Sequence, residues 1–449
     1  MAAACCCSSC SKRHPSFRFR LACPAYYQKN RIIGPEPTSS MVAAAAAAVV
    51  HGRRRRRLHF LPAALLHLHL LLVPLPVPAV QAAARVTALI VFGDSTVDAG
   101  NNNAIATAVR SNFPPYGRDF PFPPGRATGR FSNGRVATDF YSEALGLGRA
   151  FVPAYLDPDY GIRDMAVGVC FASAGSGLDV ATSRVFDSRC TFAGMQANPR
   201  VLLRNPSFIE YLPVSGVNAT QRVIPLWKQV DMFREYKSRL ADHLGAAEAH
   251  AVVAGAVYAV SIGTNDFIEN YFALTTTRFL EFTLPEYTDY LVALARGFLA
   301  ELYALGARKV GFTGLAPMGC LPLERARAGA LGRCADEYNA AARAFNAALA
   351  DMVRELGGEL PGADIRVAEV YDFFEDMVRD PGRHGFARAD VGCCGTGTYE
   401  MGYACGAWAA AGTCPDADRY VFWDAVHPTE RASRLVADHL INTTFGRFV

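Results

Sequence analysis

The stretch Thr87-Ala88-Leu89-Ile90-Val91-Phe92-Gly93-Asp94-Ser95 decides the fold. Its first six residues are β-branched, aromatic and apolar enough for a strand buried on both faces of a parallel sheet. A serine follows at the point where that strand must end. Far downstream stands Asp424-Ala425-Val426-His427-Pro428. A hydroxyl is a poor nucleophile at neutral pH. It needs a base to take its proton, and a carboxylate to hold that base in the right tautomer. Ser95, His427 and Asp424 are therefore the candidate catalytic residues.

Working outward, further strand-like runs lie near 165–170, 255–262, 309–315 and 364–369. Helical patterns alternate with them, near 135–146, 226–244, 286–305, 335–356 and 428–440. Strands alternating with helices imply an α/β fold with a parallel sheet covered on both faces. In such sheets, sites gather at the carboxyl ends of the strands. Gly93-Asp94-Ser95, Gly175 and Gly263-Thr264-Asn265-Asp266 each follow a strand-like run, so they converge on one edge. Gly175 and Asn265, together with the Ser95 N–H, are the expected oxyanion donors, because a tetrahedral intermediate needs preorganised hydrogen bonds.

Five histidines follow residue 84, and His427 alone among them has an acid three residues before it and a proline after it. Pro428 suits the first turn of a helix, which would place His427 at a helix start. No Gly-x-Ser-x-Gly elbow is present, because Val97 stands where the last glycine would be; an ordinary α/β-hydrolase is disfavoured.

These motifs resemble those of the plant GDSL esterase/lipase family, within the SGNH hydrolase superfamily. The first block is matched by Phe92-Gly93-Asp94-Ser95 with Asp98-Ala99-Gly100-Asn101-Asn102. Gly168 to Gly177 matches the glycine block, Ser261 to Asp266 the asparagine block, and Asp424 to Pro428 the last. The similarity runs from about residue 86 to 445. It implies a three-layer αβα sandwich around a mostly parallel five-stranded sheet (the flavodoxin-like SGNH hydrolase fold). It also implies the roles given above, secretion, and action on lipid or other acyl esters without a metal. Two features depart from the family: Cys170 stands where asparagine is usual, and Ala174 where glycine is frequent. Residues 187–222 read as an atypical insertion, of the kind a retained intron leaves.

Residues 1–84 are expected to lie outside the fold. Residues 1–80 carry eleven Lys or Arg against the single acid Glu36, with a basic run Arg53–Arg57. The apolar stretch Leu61–Val73 follows, then the small residues Ala82–Ala84. Basic, then apolar, then small is the order of a secretory signal. Four prolines between Pro62 and Pro78 argue against a membrane helix. Met41 is an alternative start. The chain's net charge of +4 belongs to this leader; beyond it, 34 basic face 40 acidic side chains, a net of −6. No nucleic-acid partner is expected, nor stable membrane insertion once the leader is gone.

Eight cysteines follow the leader, and in a secreted chain they read as disulfides. Cys320–Cys334 is the favoured pair. Cys393, Cys394, Cys405 and Cys414 are expected to make two more, with connectivity open; a zinc site on this last group is the rival. Asn218 and Asn442 head glycosylation sequons.

The resulting expectation is a secreted serine ester hydrolase of the extracellular space or cell wall, working through an acyl-enzyme on Ser95 with no cofactor or metal. Its substrate would be a small-molecule, lipid or polymer ester. The rivals are acyl transfer to a sugar, polyol or hydroxy fatty acid, a non-catalytic secreted binding glycoprotein, and a metal-dependent hydrolase using Asp94 and Asp98. Phe113, Tyr116, Phe120 and Phe122, in the Pro-rich loop 111–134, either line a pocket or pack the loop; packing is favoured.

Overall fold

The first strand, β1 (Leu89–Gly93), is completely buried and lies near the middle of the sheet. It is flanked by β2 (Gly168–Cys170) and β3 (Val257–Ser261), and β4 (Lys309–Thr313) and β5 (Asp364–Ala368) continue the sheet outward. Every pairing is parallel, in the order β2-β1-β3-β4-β5. The chain therefore reverses its direction of growth at β1/β3, the place where open α/β sheets form their ligand crevice. These assignments come from a computed structural model that describes residues 86–185, 222–273, 277–328, 333–406 and 412–449. All of them belong to the unit Gln81–Val449.

Helices cover the sheet because parallel strands, buried on both faces, need apolar stripes on either side. Phe92 packs its ring on Phe171, Phe233 and Phe298, which joins β1 to the helices Leu226–Leu244 and Leu284–Ala304. The helix Asp336–Glu359 lies against Leu284–Ala304. Helix Ala137–Ala144 packs against Glu430–Thr443, the last long helix. The sandwich expected from the resemblance is the architecture found.

Several boundaries differ from the sequence reading. The run 165–170 opens in a short helix, Ile162–Met165, and extends as strand only from Gly168. The last helix begins at Glu430 rather than 428, with Thr429 as its cap accepting the Ala432 N–H at 3.2 Å. Pro428 sits before the cap, bridged to Phe422, so His427 is in a turn and not at the helix start. A small parallel pair, β6 (Arg388–Gly392) and β7 (Tyr420–Phe422), lies apart from the main sheet and was not anticipated. Disulfides join Cys320 to Cys334, Cys393 to Cys414 and Cys394 to Cys405. Cys190, Asn218 and all of the expected insertion except Arg222 lie outside the described residues, as do residues 1–85.

Candidate active site

The turn after β1 presents Ser95. Asp94 closes it by accepting the Thr96 N–H and hydroxyl at 3.0 and 2.7 Å, while its carbonyl accepts the Asp98 N–H at 2.9 Å. Gly93 enters the turn at φ +149°, and a Cβ there would lie 2.1 Å from the Ser261 carbonyl. Only glycine fits so close to the neighbouring strand. The Gln229 side chain pairs with both backbone groups of Gly93, at 3.0 and 2.9 Å, and replaces a strand ladder where the strand ends.

From the far end of the chain, the turn after β7 delivers Asp424 and His427. His427 Nε2 lies 2.8 Å from Ser95 Oγ. Its Nδ1 is 2.9 and 2.8 Å from the two oxygens of Asp424. An ionised carboxylate only accepts hydrogen bonds, so Nδ1 carries the hydrogen and Nε2 offers its lone pair to the serine hydroxyl. Asp424 is fully buried, yet its oxygens are well supplied with donors. Oδ1 accepts the N–H groups of Val426 and His427, at 2.9 and 2.7 Å. Oδ2 accepts the Tyr116 hydroxyl at 2.7 Å.

The glycine loop after β2 is pinned by the segment following Ser95. Asp98 accepts N–H groups from Gly100, Asn101 and Ala174 at 2.7, 2.8 and 2.9 Å. Asn101 donates to the carbonyls of Cys170 and Ala172, and Asn102 to that of Ala174. Gly175 follows at φ +81°, a left-handed conformation that suits glycine. Asn265 donates one amide hydrogen to the Ser176 carbonyl at 2.9 Å, and the amide has a second to offer. Asp266 accepts from Leu178 N, Asp179 N and Thr182 Oγ1, tying the asparagine turn to the glycine loop. The structure thus brings all five expected site residues together. Ser95, Gly175, Asn265 and His427 line one small cavity of about 30 Å³, and Asp424 lies behind His427.

Other lining residues escaped the sequence reading: Phe131, whose ring centroid is 4.8 Å from that of His427, and Arg110, Ile268, Glu269 and Met401. Of the loop aromatics considered for a pocket, none lines this cavity. Tyr116 and Phe120 are buried, Phe113 stacks on Tyr403, and Phe122 is exposed. Burial pushes Asp94 up to about 6, opposed by the Thr96 hydrogen bonds and by His427 nearby. Asp94 and Asp98, the pair considered for a metal, are both committed to protein donors, and no group of three potential metal-ligating side chains occurs among the described residues. The Cys170 thiol, buried and pushed up to about 12 by desolvation, stays protonated at neutral pH.

Residues 89–440 match the model of the GDSL-like lipase/acylhydrolase family. Two Arabidopsis thaliana proteins, each named a GDSL esterase/lipase, are similar over most of their length. One is 47% identical, across 80% of this chain and 91% of the relative. The other is 44% identical, across 84% and 95%. A third from the same plant, the GDSL esterase/lipase APG, is 36% identical across 81% and 92%. The chain belongs to the GDSL-like lipase/acylhydrolase family.

Proposed function

We propose that this protein is a serine ester hydrolase that cleaves carboxylic esters through an acyl-enzyme on Ser95. The observation that carries the reading is the relay of short contacts from Ser95 Oγ through both nitrogens of His427 to Asp424. Ser95 Oγ attacks the acyl carbonyl carbon as its proton passes to His427 Nε2. Asp424 keeps the ring oriented and offsets the imidazolium charge. The tetrahedral oxyanion is received by the N–H groups of Ser95 and Gly175 and by the second Asn265 amide hydrogen. Collapse expels the alcohol with the proton from His427. Water, deprotonated by the same ring, then releases the acid and restores the hydroxyl.

Secretion belongs to the same proposal. Three disulfides fit an oxidising compartment, and no helix among the described residues is long and apolar enough to cross a membrane. Residues 1–84 serve as the removed leader, and 85–449 as the working domain, interrupted at 187–222. The substrate is a lipid or other acyl ester, in keeping with the relatives' names.

The test is hydrolysis of a p-nitrophenyl ester by purified protein and by Ser95→Ala. Loss of roughly a millionfold in kcat is expected when a triad member acting as part of a unit is removed. Turnover by Ser95→Ala at the wild-type rate would overturn the assignment.

A further inference from the structure

We propose that Tyr116 is a positioning residue of the catalytic relay, setting both the orientation and the basicity of Asp424. The inference rests on the triad reading above. Tyr116 is almost fully buried, and its hydroxyl takes part in hydrogen bonds of opposite sense. The oxygen accepts the Gly402 N–H at 2.8 Å. A phenol has a single hydrogen, and a carboxylate cannot donate one, so that hydrogen points at Asp424 Oδ2, 2.7 Å away. The backbone donor at Gly402 thus supports a rotor aimed at the carboxylate.

The ring holds its place through packing on three sides. It meets Phe113 and Phe131 edge-on, at centroid separations of 5.9 and 5.8 Å, and Trp423 at 6.2 Å. Trp423 immediately precedes Asp424, and Phe131 is also a wall of the active-site cavity beside His427. The tyrosine therefore touches both neighbours of the relay while its hydroxyl touches the relay itself. Asp424 Oδ1 is already engaged by the Val426 and His427 N–H groups. Without the phenol, Oδ2 would keep its contact with His427 Nδ1 but lose the hydroxyl that fixes it from behind, and the carboxylate could pivot about Oδ1. A hydrogen bond donated to the ionised carboxylate also withdraws charge from it. Its loss leaves a stronger base behind the imidazole, which stabilises the imidazolium.

The experiment uses the secreted full domain and measures kcat and KM per live site, with sites counted by fluorophosphonate labelling, across pH 4–9. Tyr116→Phe should lower kcat by roughly 10- to 100-fold with KM within about twofold, the scale of one charge-assisted hydrogen bond. Its acid limb should move to higher pH. A purely structural role would reduce the number of labelled sites and leave kcat per site and the acid limb unchanged; that result overturns the proposal. Because Tyr116→Phe strands the Gly402 N–H, site-specific 3-fluorotyrosine at 116 provides a variant that keeps both hydrogen bonds. It strengthens donation, so its acid limb should move to lower pH; an unmoved limb contradicts the proposal. Ser95→Ala is run in parallel. Activity surviving there defeats the triad reading itself, whereas an inert Ser95→Ala with an unaffected Tyr116→Phe defeats the tyrosine alone.

Discussion

The Asp98 carboxylate pins the loop that carries Gly175. It gathers three backbone N–H groups, one of them from Ala174, immediately before the proposed oxyanion donor Gly175. Asp98→Asn would turn an NH2 group toward at least one of those donors. We expect a destabilisation of about 1–3 kcal/mol, and a loss in kcat larger than any change in KM. Thermal melts and steady-state kinetics check both, and an unaltered kcat would show that the Gly175 loop holds its own shape. For Asn265→Ala the expectation is sharper, a fall of roughly 100- to 1,000-fold in kcat for one oxyanion donor. The meeting of Ser95, Asp424 and His427 was legible in the sequence because few residue types suit such a relay and their spacing was unusual. Gln229, Tyr116 and Phe131 were not. A glutamine in an amphipathic helix and aromatics in a Pro-rich loop carry no local signal of the distant backbone or carboxylate they meet.

At the scale of elements, the turn bearing Asp424 and His427 depends on the cystine-rich segment beside it. Cys393 N and Cys394 N donate to the carbonyls of Phe422 and Trp423, at 3.0 and 2.9 Å. Ala425 N donates to the Glu400 carbonyl at 2.9 Å, and Gly402 N to Tyr116. Replacing Cys394 and Cys405 together by alanine should therefore lower activity as well as stability, by about 2–4 kcal/mol for a native disulfide. Active-site labelling and chemical denaturation check this, and a variant less stable yet equally active at low temperature would separate the segment from the site. The five strands of the main sheet and the long helices were readable from apolar runs and helical periodicity. β6 and β7 were not: Arg388-Ala389-Asp390-Val391-Gly392 carries two charges where an apolar run would be needed, and Tyr420-Val421-Phe422 is too short alone to show a period. The helix start at Glu430 was misjudged because Pro428 fits a first helical turn as well as it fits the bridge it makes.

At the scale of the whole molecule, acids outnumber bases beyond residue 80, 40 to 34. Among them is Glu324, which is fully buried and shares Arg327 with Glu269. Burial pushes Glu324 up to about 7; Arg327 opposes the shift and Glu269 adds to it. The folded pKa exceeds the unfolded one, so the native state binds a proton that the unfolded chain has released. That contribution is complete below the ordinary carboxylate range and is lost as pH rises through about 7. Stability should accordingly fall between pH 5 and 8, and Glu324→Gln should remove about 1–3 kcal/mol of that dependence. Melts of both proteins over this range decide it, equal slopes counting against a buried titrating carboxylate.

The central claim, that distant segments meet to make Ser95 a nucleophile, is tested most directly by trapping the acyl-enzyme. Intact-mass and peptide analysis of protein quenched during turnover of an activated ester should find one acyl group, on the peptide containing Ser95. An acyl group carried by another residue, or a burst of released alcohol with no acylated protein behind it, would contradict it.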